Sequence, residues 1–147
     1  MIETIEQKKR RLFGRQYLEE YLKIIHKITI IKNPKIISIV ETDRINNNQN
    51  KLNNSFSIKL LFNNKSDLKN IILKQFKSKD TVYLFIPLSE DCGAIEMDSI
   101  INFNFNFNFT DEPSGIISII SKNLKEKILL DFYEEQEVKY IEFEYYS

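Results

Sequence analysis

Apolar and polar residues alternate most regularly between Ile101 and Thr110, where Phe103, Phe105, Phe107 and Phe109 are separated by Asn104, Asn106 and Asn108. A period of two places every Phe on one face of an extended strand and every Asn on the other. The spacing predicts a strand that begins over 94–98 and continues through this run. Phe105 and Phe107 are then core, with Asn104 and Asn106 on the opposite face.

Elsewhere the period changes. Ile5, Leu12, Phe13, Tyr17, Tyr21, Leu22, Ile24 and Ile25 recur at three, four and seven, which predicts an amphipathic helix over 4–26 with a basic side. Residues 35–41 are β-branched and apolar and read as a strand. The Asn-rich stretch 46–54 has no period and reads as a mobile loop. Strands are predicted over 55–62, 81–86 and 115–121. A short helix capped by Ser66 is predicted to run to Phe76. The chain closes on a hairpin, 127–133 and 138–146, around Glu134, Glu135, Gln136 and Glu137. Leu124, Ile128 and Phe132 would also suit a helix, but the alternation of Ile128, Leu130 and Phe132 favours the strand. Strands that are not interleaved with helices indicate an α+β fold. The expected architecture is a mainly antiparallel sheet of about five to six strands, with the N-terminal helix and one further helix packed on it. One domain over 1–147 accommodates it.

Composition adds a charge division. The formal net charge is zero, yet residues 1–79 hold 17 Lys or Arg against 7 Asp or Glu, and residues 80–147 hold 4 against 14. Such asymmetry bears on partners more than on fold. Ile, Lys, Asn, Phe and Tyr are also the residues of A/T-rich codons, so the Asn run is read for its period alone. A single Cys excludes an internal disulfide. Neither a signal-peptide core nor a run of ~20 apolar residues is present. The expectation is a cytoplasmic protein without a membrane partner.

Catalytic chemistry has little to work with. His26 is the single histidine and sits among isoleucines near a helix end, where the dipole favours a cation. Cys92 follows Glu90 and Asp91, which oppose thiolate formation. No zinc pattern can be assembled from one His and one Cys, and no Gly-rich phosphate loop or nucleophile elbow occurs. No metal or cofactor is expected. Glu96 and Asp98, two apart on a strand, are the one carboxylate pair suited to acid–base work, which leaves a small carboxylate-dependent enzyme as an alternative. A second alternative is nucleic-acid association through basic helices. Its candidates are Lys8, Lys9, Arg10, Arg11 and Arg15, with Lys65, Lys69, Lys74, Lys77 and Lys79 further on.

The C-terminal hairpin is more suggestive. Its alternation places Ile128, Leu130, Phe132, Ile141, Phe143 and Tyr145 inward. Asp131, Tyr133, Tyr140, Glu142, Glu144 and Tyr146 face outward, as an acidic surface with tyrosine anchors. The expected function is a non-catalytic binding module that engages a basic protein through these six residues. A small motif-free α+β domain with an acidic, aromatic surface resembles the immunity proteins that inhibit nuclease toxins, in kind rather than in any residue string. The resemblance implies that the acids cover the phosphate-binding surface of a basic toxin. Pairing with a second copy through an edge strand is a further possibility.

Overall fold

The computed structural model describes residues 2–147. Two helices, α1 (Ile5–Gly14) and α2 (Leu18–Ile28), are joined by the 3-10 turn Arg15–Tyr17, so the expected single helix is interrupted and runs slightly further. Thr4 caps α1 reciprocally with Gln7. The apolar pattern serves the core only in α2, where Tyr21, Ile24, Ile25 and Ile28 are buried. In α1 only Gly14 is buried, and Ile5, Leu12 and Phe13 face outward, contrary to the sequence reading.

The predicted strand over 35–41 is reduced to β1 (Lys35–Ile36). Ser38 then caps α3 (Ile39–Asn48) by accepting a hydrogen bond from the Glu41 amide, and Ile39, Thr42 and Ile45 form its buried stripe. The expected loop over 46–54 is therefore the last turn of α3, the 3-10 turn Gln49–Lys51 and the start of β2 (Asn54–Leu61). There follow α4 (Lys65–Gln75), β3 (Val82–Phe85), the single turn α5 (Ser89–Cys92), β4 (Ile95–Met97), β5 (Ile116–Ser121), β6 (Lys127–Glu135) and β7 (Val138–Tyr146). Asn64, not Ser66, occupies the cap position of α4.

All seven strands form one antiparallel sheet, in the order β1-β4-β3-β5-β6-β7-β2. The α+β antiparallel class is as read from the sequence, with more strands and helices than expected. On one face, Leu84, Ile119, Ile128, Leu130 and Phe143 share a core with α2, α4 and the Phe run. On the other, Ile45 of α3 packs with Tyr83, Phe85, Ala94 and Ile120. The segment after α3 meets β6 at Lys127, whose ammonium donates to Gln49 Oε1 at 2.8 Å. Among the described residues no helix is long and apolar enough to cross a membrane.

The Phe run is not a strand. After the 3-10 turn Ile100–Asn102 its backbone forms an isolated bridge from Phe103 to Thr29 at the end of α2, while its rings pack on the sheet through Phe132. The alternation survives as burial, with Phe103, Phe105 and Phe107 in the core and Asn106 and Asn108 exposed. Asparagine explains how. The Asn104 amide donates to Ile28 O, its side chain donates to Lys27 O, and its Oδ1 accepts from the Asn106 amide. The Asn108 amide donates to Asp111 Oδ2. Two bonds to the end of α2 and two local ones thus stand where a strand ladder would.

Lys65 ends over this aromatic cluster. Its Nζ lies 3.2 Å from the centre of the Phe62 ring and 4.4 Å from that of Phe107, and has no hydrogen-bond partner. Burial pushes its pKa down to about 8, against a weaker opposing pull from Asp111. Burial also lowers Lys127. A lysine whose folded pKa is depressed binds fewer protons folded than unfolded, so stability rises with pH between about 8 and the unfolded value near 10.5. Tyr21 and Tyr145 have the opposite sign. Burial raises both, Tyr145 to about 12, so stability falls once the unfolded phenols ionise above pH ~10. The raised Cys92 thiol opposes part of the lysine effect near pH 9, so melting temperatures should climb modestly from pH 8 to roughly 9.5 and decline above roughly 10.5. Lys65→Met should flatten most of the climb, and a climb left intact in that variant would refute the assignment.

Candidate open face of the C-terminal sheet

The hairpin places its side chains as the alternation predicts. Gln136 and Glu137 make the turn at φ 51° and 65° without a glycine. These are the left-handed angles that a two-residue connection requires to match strand twist. The register Asp131↔Glu142 and Tyr133↔Tyr140 brings the outward residues side by side, and Leu129↔Glu144 and Lys127↔Tyr146 continue the rows. All six residues proposed from the sequence, Asp131, Tyr133, Tyr140, Glu142, Glu144 and Tyr146, lie on this one surface and are partly exposed.

Pairing with β2 adds residues that the hairpin alone does not reveal. Ser57 lies opposite Glu144, Lys59 opposite Glu142 and Leu61 opposite Tyr140. Ser57, Lys59, Glu142 and Glu144 line a shallow depression of about 210 Å³ with Ile58. The surface is therefore not of a single charge sign, as the sequence reading had it. Lys59, however, turns toward the tyrosines. Its Nζ stands 4.2 Å from the centre of the Tyr140 ring and 5.5 Å from that of Tyr133, and the Tyr133 hydroxyl holds its pKa above the usual lysine range. Tyr133 donates to Glu142 Oε1 at 2.9 Å, and the two tyrosine rings tilt together at 5.9 Å.

The carboxylates remain without salt bridges. Among the described residues none of Asp131, Glu142 and Glu144 has an ionic partner within 4.0 Å. Burial, followed by repulsion from Glu142 directly across the strand pair, pushes the Asp131 carboxyl above its ordinary range. A cation brought to this row would relieve that repulsion.

The alternative basic site is disassembled by the fold. Arg10 donates to both oxygens of Asp43, at 3.1 Å and 2.6 Å, and to the Glu90 carbonyl at 3.2 Å. Arg11 grips Glu3 at 2.8 Å and 3.2 Å. Arg10 thus fastens α1 to α3 and α5, Arg11 is closed on the residue stretch just before its own helix, and of the five proposed cations Lys8, Lys9 and Arg15 stay free of ion pairs among the described residues. On α4, Lys65 is folded onto the Phe cluster while Lys69 and Lys74 are exposed.

The catalytic alternatives do not converge either. Lys35 closes on Glu96 at 2.5 Å, while Asp98 faces a polar hollow of about 420 Å³ shared with Asp80, Lys79 and Lys122. A wider cavity, about 640 Å³, lies between the end of α4 and the Ile100–Ile101 turn and is mainly apolar. The Cys92 thiol donates to Gly14 O at 3.4 Å, and burial, with Asp91 second, raises its pKa. His26 is exposed in the last turn of α2. No group of three or more His, Cys, Asp or Glu among the described residues is placed to hold a metal ion.

No known family matches the chain, and neither a curated protein nor a solved structure does.

Proposed function

We propose that this protein is a non-catalytic binding module whose open sheet face, on β6, β7 and β2, docks a basic protein in the manner of an immunity-type inhibitor. The observation that carries the reading is a contrast in how the two charged surfaces are used. Arg10 and Arg11 are spent on internal ion pairs, whereas Asp131, Glu142 and Glu144 stand side by side on one sheet face without salt bridges among the described residues. Tyr140 and Tyr146 flank them as anchors that lose little entropy on binding. For a nuclease target, carboxylates in this arrangement would occupy the surface that otherwise holds phosphates.

Capture from the source cell, followed by surface-plasmon kinetics on the recovered partner, tests the proposal. Glu142→Lys with Glu144→Lys should slow association by roughly tenfold or more at low salt, because steering acts on the encounter rate. The difference should shrink toward 1 M salt, where screening acts over ~3 Å. Tyr140→Ala should speed dissociation instead. Normal binding by the Lys variants, with binding abolished by neutralising Lys8, Lys9 and Arg15, would move the site to α1. Recovery of RNA or DNA in place of a protein would favour nucleic-acid association.

A further inference from the structure

The side of α1 that the sequence marks as core faces solvent. Its packed side is set by Gly14 against Asp91 and by Gln7 and Arg10 on Asp43. Ile5 and Leu12, one heptad apart on the opposite side, are 78% and 43% exposed, and neighbouring Phe13 is 50% exposed. Three of the eleven exposed large apolar residues among the described residues thus fall on one helix of ten residues, too concentrated for the scatter of an ordinary surface. Among the described residues, Lys8 and Lys9 border them without ion pairs.

We propose that this face of α1 holds the protein on an anionic lipid surface. A stripe of Ile, Leu and Phe interleaved with long cationic side chains is the composition of an interfacial helix. The apolar groups enter the headgroup boundary, while lysines extend along it to reach phosphates and carboxylates. Charge selects this occupant over a second copy. Ile5 and Leu12 would be equivalent positions of a coiled-coil seam, but the seam position between them falls on Lys8 or Lys9, so two copies would bring like charges together. An acidic leaflet supplies the missing counter-charge. The earlier expectation of no membrane partner rested on the lack of a spanning segment, which an interfacial helix does not need. The inference is independent of the docking face, which lies on β6, β7 and β2, whereas α1 packs on α3 and α5.

The chain has no tryptophan, so Phe13→Trp provides a single fluorescent reporter on the exposed face. Vesicles of phosphatidylcholine containing roughly a third phosphatidylserine should shift its emission to the blue with saturation, and pure phosphatidylcholine should bind at least about tenfold more weakly. Adding Lys8→Glu and Lys9→Glu, or Ile5→Ser and Leu12→Ser, should abolish the shift with the circular dichroism spectrum unchanged. No shift on the anionic vesicles, or equal binding to both kinds, overturns the proposal. So does a concentration-dependent shift without lipid accompanied by doubled mass in sedimentation, which would assign the face to a second copy. An equal shift on soluble polyglutamate would assign it to an acidic protein.

Discussion

Phe107→Ala should destabilise the protein by roughly 3–5 kcal/mol, the range for truncating a buried aromatic ring. Phe107 is fully buried, and its ring meets Phe62, Phe103 and Phe132 edge-on at 5.4, 5.7 and 5.2 Å. Those rings are in turn held by one another and by the sheet, so the cavity has little room to collapse. The substitution also removes one of the two ring faces beneath the Lys65 ammonium. Asn106→Ser, one residue away and exposed, should cost under about 1 kcal/mol. Asn104→Ala should fall between them, at about 1–2 kcal/mol, because its side chain bonds both Lys27 O and the Asn106 amide. Urea unfolding of the three variants checks the order. Equal midpoints for Phe107→Ala and Asn106→Ser would mean that the Phe side is not the core.

Gly14→Ala sets two effects against each other. Helix propensity alone favours alanine by about 1 kcal/mol. Yet the new Cβ would stand 2.1 Å from the Asp91 carbonyl oxygen and 2.6 Å from its carbon, and backbone atoms cannot swing aside as a side-chain end can. Separating α1 from α5 would also disturb the Cys92–Gly14 contact and strain the Arg10–Asp43 pair. Overpacking of this kind costs about 1–3 kcal/mol and occasionally more. The contact should win, leaving a net loss of about 2 kcal/mol with the melting temperature lowered. A raised melting temperature would show that α1 does not sit against α5 as described.

The C-terminal hairpin was legible because its pattern and its pairing are both local. Alternation assigned every outward residue from Asp131 to Tyr146, and strands adjacent in sequence became neighbours in the sheet. Lys59 was hidden by distance, not by pattern. Its strand reads well, but nothing near residue 59 says that β2 will lie beside β7. The helix α3 carried a readable signal that a β-branched run outweighed. Ser38 and Glu41 have capping-box spacing, and Ile39, Thr42 and Ile45 have helical spacing. In the Phe run the periodicity gave the right burial and the wrong backbone, because the side chains of Asn104 and Asp111 satisfy the Asn106 and Asn108 amides that a strand would have paired. The stripe of α1 misled for a different reason. Amphipathicity says that a helix has an apolar side, but not that its own fold covers it.

The place of β7 between β6 and β2 also has a consequence for synthesis. The ribosome makes β2 early, and its only partner strand is complete only once Tyr146 has been added. Until then Phe56, Ile58 and Leu60 wait on an extended segment with no strand beside it. A growing sheet of β3, β4 and β5 cannot shelter it, since β6 and β7 separate them. Unpaired segments of this kind are templates for association between nascent chains. Lys59, at the middle of the apolar alternation, places a charge where such chains would stack. The same lysine that tempers the acidic face in the folded protein would thus oppose such stacking while β7 is still missing.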